Sequence, residues 1–239
     1  MSDMCALFTC EDPATWRKVH EKYWDVVQSR MTRQGKTSKT GPKLLTLDKW
    51  YQEELPACIS NRSERHVTHV ELAKLMEWKL TRGKFRPRLQ HLVESNSADT
   101  VEKCSRKAFS LLPDVHAAIT ELSALKGVGP ATASAVLAAG APEQAAFMSD
   151  EAMESIPGIT PIQYTAKHYI LYLTKMLEQT EKLNRLDHLR DWTPQKLEQC
   201  LWAYSITTKQ QLPLLQNISV SNKRNSECEE KPQKKLKVK

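Results

Sequence analysis

Leu125-Lys126-Gly127-Val128-Gly129-Pro130-Ala131-Thr132-Ala133-Ser134-Ala135-Val136-Leu137 is the stretch on which the reading of this chain turns. Two glycines with one residue between them join two apolar patterns of helical spacing. Upstream, Val115, Ala118, Ile119, Leu122 and Leu125 recur at intervals of three and four, which lines one helix face. Downstream, Pro130 suits a first helical position, where its missing N–H costs nothing. Ala133, Val136 and Leu137 supply the second stripe, and Gly140 is expected to stop that helix. The glycines open backbone conformations closed to other residues and let a ligand come up against the main chain. Outward-pointing N–H groups of the turn and of the next helical turn suit an anion.

On either side of this unit helical spacing recurs and period-two alternation is absent, so the expected fold class is all-α. Helices are expected from Pro13 to Met31, through Leu47, Trp50, Tyr51 and Leu55 with a break near Pro56, and from about His66 to Thr81, closed by Gly83. Pro87 to Glu94 and Asp99 to Leu111 follow, then the hairpin unit over 114–140. In Ile156-Pro157-Gly158-Ile159-Thr160-Pro161, Thr160 reads as an N-cap with Pro161 first in the helix and Gln163 completing a capping box, the helix reaching about Leu183. Thr193 and Pro194 open a last helix that buries Leu197, Leu201 and Trp202. The helix carrying Leu72, Leu75, Met76 and Leu80 also has Val67, Val70 and Trp78 on other faces, the pattern of a central helix.

Lys79 falls inside that apolar stripe. Either its stem packs and its ammonium snorkels past the helix end, or a desolvated ammonium is aimed into a cleft. From 79 to 88 the chain holds Lys79, Arg82, Lys84, Arg86 and Arg88 with no acid, and Phe85 interleaves them. Such a patch suits both a helix C-terminus and a phosphate backbone. Residues 29–43 carry five positive charges, no acid and two glycines, and read as a basic linker or arm.

With 239 residues, the chain divides into an N-terminal helix and linker over 1–43, one all-helical domain over 44–210 and a tail over 211–239. Met1-Ser2-Asp3-Met4 lacks the basic start of a secretory signal, no run is long enough to span a membrane, and a soluble monomer is expected. Six scattered cysteines form no Cys-x-x-Cys pair, so reduced thiols are expected, with no metal and no cofactor. The formal net charge is +7, of which residues 222–239 hold +4, so the body is only mildly basic and any anion must be met by local patches. That tail is expected to be disordered. It resembles a bipartite nuclear localisation signal, with Lys223-Arg224 as one cluster and Lys234, Lys235 and Lys237 in the other, which implies a nuclear import receptor as partner and the nucleus as location.

The glycine turn, Pro130, Thr132 and both stripes together resemble the helix-hairpin-helix motif, with Lys126 where that motif usually has Pro. The likeness widens to the DNA glycosylase superfamily named for the hairpin, a Gly/Pro-rich loop and an Asp, over roughly Glu121 to Met153. There an apolar segment after the second hairpin helix delivers the catalytic Asp, and Asp150 stands in the matching place behind Ala145-Ala146-Phe147-Met148. The resemblance implies a compact multi-helix fold that binds DNA through its backbone, with Lys126, Gly127, Val128, Gly129 and Thr132 at the phosphates; Arg82, Lys84 and Arg86 of the basic run are candidates for further backbone contacts on their charge alone. It implies a flipped base in a pocket and a role in DNA repair; Trp78, as an aromatic wall, and Lys79, as an amine aimed into a cleft, are the possible pocket residues. Cleaving an N-glycosidic bond builds positive charge on the sugar, which a carboxylate beneath C1′ stabilises. Ala131 stands where lyase members carry the hairpin lysine, so the implied activity is single-function hydrolysis. Glu151-Ala152-Met153 departs from the family, however, and two readings stand: an N-glycosylase, or a catalytically silent DNA-binding or scaffold protein in which Asp150 or Ser149 caps a helix.

Overall fold

Proline or threonine stands at most of the helix starts among the described residues. The computed structural model describes residues 5–35 and 41–215, all of them in helices, turns and loops, with no strand among the described residues. The helices are α1 (Pro13–Glu21), α2 (Tyr23–Gly35), α3 (Gly41–Lys49), α4 (Leu55–Ser60), α5 (His69–Arg82), α6 (Pro87–Glu94), α7 (Ala98–Ser110), α8 (Val115–Leu122), α9 (Pro130–Gly140), α10 (Asp150–Glu154), α11 (Ala166–Leu186) and α12 (Pro194–Gln210). A π-helical turn, Trp50–Glu54, joins α3 to α4. Pro130 is the first residue of α9, Gly140 its last, and the Thr193 side chain caps α12 by accepting from Lys196 N–H.

Three expected boundaries are corrected. The helix expected over Pro13–Met31 is two helices that part at Lys22, so Trp16 and Val19 turn into the core from α1 and Val26 and Val27 from α2. Pro56 breaks nothing: it lies in the first turn of α4, where no N–H is needed. Thr160 caps no helix. The chain stays irregular through Tyr164, and it is Thr165 whose side chain accepts from His168 N–H to open α11.

One apolar cluster runs through the described residues, from Leu7 and Trp16 through Trp78 and Val136 to Trp202 and Leu215. The N-terminal helices therefore belong to the same body as 44–210, because α1 and α2 both lie against α12. α5 is central, packed against α3, α6, α7 and α9. Arg30, assigned to a basic linker, instead lies buried near the end of α2. Residues 36–40 and the tail's basic clusters lie outside the described residues. Five described cysteines are unpaired thiols, and no described helix is long and apolar enough to cross a membrane.

Beneath the surface lies a charged centre whose three members are far apart in sequence. Arg82, 2% exposed, donates from Nη1 and Nη2 to the two carboxylate oxygens of Glu198 at 2.8 and 3.2 Å. Asp48 lies 3.7 Å from Arg82 Nε and accepts from the Tyr23 hydroxyl and the Trp78 indole N–H, both at 2.7 Å. The Arg82 guanidinium also lies 4.3 Å from the Trp202 ring centroid. Burial raises both carboxyls against the pull of Arg82, which stays cationic between them.

Candidate nucleic-acid interface

The hairpin turn is fixed from one side and open on the other. Gly127 adopts φ +77°, and a Cβ there would stand 2.9 Å from Leu92 Cβ and 3.0 Å from Val93 N, so the turn is pressed onto α6. Asn96, in the polar turn after α6, clamps the same point. Its Oδ1 accepts from Lys126 N–H and its Nδ2 donates to Lys126 C=O, both at 3.0 Å. Val128 N–H is spent on Leu125 C=O and its side chain is buried, so Val128 anchors the turn and is not a ligand. By contrast, the N–H groups of Gly127, Gly129 and Ala131 meet no acceptor among the described residues. Gly129 is in extended conformation with nothing within 4 Å of where a Cβ would stand.

Those three residues share one cavity, of about 360 Å³, with Thr132, Lys79, Arg86 and Asp150. Its volume lies within the range of small-ligand sites. The segment that brings Asp150 there has no regular structure, and side chains satisfy its backbone instead. Phe147 N–H donates to Gln195 Oε1 and Met148 N–H to Ser134 Oγ, both at 2.9 Å. The hydroxyls of Tyr169 and Tyr172 donate to Ala146 and Phe147 C=O at 3.1 and 3.0 Å. Ser149 then caps α10, its hydroxyl accepting from Ala152 N–H and donating to Glu198 at 2.6 Å. Asp150 is thereby the first residue of α10 and tied, through Ser149, to the buried charges.

Asp150 accepts from the Tyr164 hydroxyl at 2.6 Å and from Lys84 Nζ at 2.8 Å. Burial pushes its carboxyl up, but these two hydrogen bonds and the charges of Lys84 and Arg86 outweigh burial and hold it below the usual carboxylate value. It is an anion at neutral pH. Lys79 is different. Its Nζ makes no hydrogen bond or ion pair among the described residues, and burial, with Arg86 adding repulsion, lowers it to about 8 against a weaker pull from Asp150. The reading that aims Lys79 into a cleft is the one its position supports.

Two expected site residues are held by the buried charges instead. Trp78 does not wall the cavity: it is fully buried, stacked on Tyr51 with ring centroids 3.5 Å apart, because its indole N–H is drawn inward by Asp48. Phe147 takes that wall. Arg82 lines the cavity, but Nη1 and Nη2 donate to Glu198 and Nε, without a hydrogen bond, lies 3.7 Å from Asp48, so its charge is already held by two buried carboxylates. Lys84, Arg86 and Lys126 are exposed, Arg86 with its guanidinium 5.6 Å from the Tyr164 ring centroid.

Sequence reasoning missed Arg30. It lines the cavity, 9% exposed, with Nε and Nη1 buried and without a hydrogen bond, its guanidinium 5.6 Å from the Trp202 ring centroid and in a distant ion pair to Glu151 at 3.8 Å. Among the described residues no group of His, Cys, Asp and Glu is placed to hold a metal. Compared with family models, with curated proteins and with solved structures, the chain matches none.

Proposed function

We propose that this protein binds DNA through the hairpin and takes a flipped nucleotide into the cavity, as a single-function DNA N-glycosylase of helix-hairpin-helix type acting in repair. One observation carries the reading: the three hairpin residues with unspent N–H groups and Asp150 line the same ligand-sized cavity. A backbone phosphate sits at Gly127, Gly129 and Ala131 N–H, with Lys126 and Arg86 adding charge from outside the turn. Phe85, 74% exposed between Lys84 and Arg86, is an apolar wedge of the kind that enters a base step. Inside, Asp150 stabilises positive charge developing at C1′ while water attacks. Ala131 offers no amine on the hairpin. The tail's basic clusters carry the protein into the nucleus through an import receptor, and deleting residues 222–239 of a tagged chain should leave it cytoplasmic.

A second reading is favoured by one specific contact. Lys84 and Tyr164 already occupy Asp150, as befits a silent protein that grips backbone and does no chemistry. The discriminating experiment compares a duplex carrying a stable abasic-site analogue with the same undamaged duplex, at two salt concentrations, for wild type and Asp150→Asn. The enzyme reading expects wild type to prefer the analogue by at least about tenfold, about 1.4 kcal/mol, over a salt-sensitive background common to both proteins. Equal binding would make this a backbone-binding module. No binding to either would remove nucleic acid from the account.

A further inference from the structure

The cavity holds a reactive amine for which the glycosidic step has no use. Lys79 projects from α5 into it with Nζ unpartnered among the described residues, and at pH 7.5 an amine of this basicity is neutral on the order of 10² times more often than an ordinary lysine. A neutral amine is a nucleophile, and burial of a lysine is a common way to make one. Lining the same cavity are groups that suit a phosphate ester: Gly127, Gly129 and Ala131 with their unspent N–H groups, the exposed Arg86, and Arg30, nine-tenths buried, with Nε and Nη1 making no hydrogen bond and Glu151 3.8 Å away. Lys84 and Lys209 also line the cavity but are committed to Asp150 and Glu154 at 2.8 and 2.5 Å. The lysine without a carboxylate partner is thus also the most shielded of the three.

We propose that Lys79 is a nucleophile that condenses with the aldehyde of a phosphate-bearing ligand, the opened sugar of an abasic nucleotide in DNA. The nitrogen lone pair attacks the carbonyl carbon and the C=O π pair moves to oxygen, giving a carbinolamine. Nζ gives up its two protons as the oxygen gains two, the oxygen leaves as water, and the nitrogen lone pair closes a C=N bond that joins Nζ to the sugar. No oxidant or reductant takes part. Only the choice of DNA as the source of the aldehyde rests on the function proposed above; the amine chemistry does not.

The test runs two probes against the full chain with cyanoborohydride present, which reduces an imine to a stable secondary amine. One is pyridoxal 5′-phosphate, a small aldehyde with a phosphate; the other is a duplex with a single natural abasic site. Peptide mass mapping of the wild-type protein locates the adduct and depends on no variant. Lys79 should be modified at least about tenfold faster than exposed lysines such as Lys22 or Lys103, with a rate that climbs through pH 8. Inorganic phosphate should slow the reaction, and Lys79→Arg, folded by circular dichroism, should abolish the major adduct. Adducts spread over exposed lysines, with Lys79 not enriched, would overturn the proposal. If pyridoxal phosphate is captured at Lys79 while the duplex binds without being trapped, DNA is the wrong source of the aldehyde. If the duplex does not bind at all but Lys79 still captures the small aldehyde, the DNA reading fails and the amine chemistry stands.

Discussion

Ser149 Oγ donates to Glu198 Oε1 at 2.6 Å while accepting from Ala152 N–H, so a single hydroxyl couples the start of the helix that bears Asp150 to the buried Arg82–Glu198 pair. The position of the candidate catalytic carboxylate is therefore set from below by an ion pair whose partners are 116 residues apart.

Glu198→Ala should destabilise the protein by about 3–5 kcal/mol, since it strands the Arg82 guanidinium in the core. Replacing Arg82 and Glu198 together by apolar residues of similar volume should cost far less. Urea denaturation of the single and double variants checks this, and a single variant within about 1 kcal/mol of wild type would mean that the pair does not hold the core.

The two hairpin glycines should separate fold from binding. Gly127→Ala combines a positive φ with contacts near 3 Å to α6 backbone, and should cost more than about 1 kcal/mol of stability. Gly129→Ala should leave the melting temperature almost unchanged, because its backbone is extended and its Cβ would meet open space. If the turn faces a phosphate, that added methyl should nonetheless weaken DNA binding, as a titration of the variant at fixed salt would read. Normal binding by Gly129→Ala would place the phosphate elsewhere.

Lys79 makes stability depend on pH in an unusual direction. Its amine is about 8 in the fold against 10.5 ordinarily, so between these values the unfolded chain binds the extra proton and stability rises with pH. Below pH 8 the fold bears the cost of a desolvated ammonium. Lys79→Met should accordingly stabilise the protein at pH 7 by about 2 kcal/mol, with the gain shrinking toward pH 10. Paired denaturation curves at pH 7 and pH 10 test the sign, and a gain that does not shrink would show that burial of the amine is not its cause.

What the sequence made legible was local. Pro130, Thr193, Pro194 and Pro87 each act within a turn of their own position and stand where their chemistry directs, whereas Gly140 ends α9 without a positive φ and is glycine because Phe109 and Ile59 press against it. Lys79 was legible as an amine out of place on an apolar face. The failures are of two kinds. Thr160 and Thr165 both precede helix-compatible stretches, and nothing in the local pattern says which hydroxyl finds an N–H. Asp48, Arg82 and Glu198 carry the other failure, since a buried charge is explained only by a partner distant in sequence. A signal existed even so: Glu198 has Leu201 and Trp202 three and four residues on, so an acid shares the face of a buried stripe. Trp78 was misplaced for the same reason, because it follows Asp48 inward.

The walls of the cavity come from α2, α5, the hairpin, α10 and α12, that is, from Arg30 through Lys209. A ribosome releases such a chain N-terminus first. Until Glu198 and Lys209 have emerged, Arg82 has no carboxylate from α12, Ser149 no acceptor, and the floor beneath Asp150 is unmade. The cavity is thus complete only in a chain that includes α12.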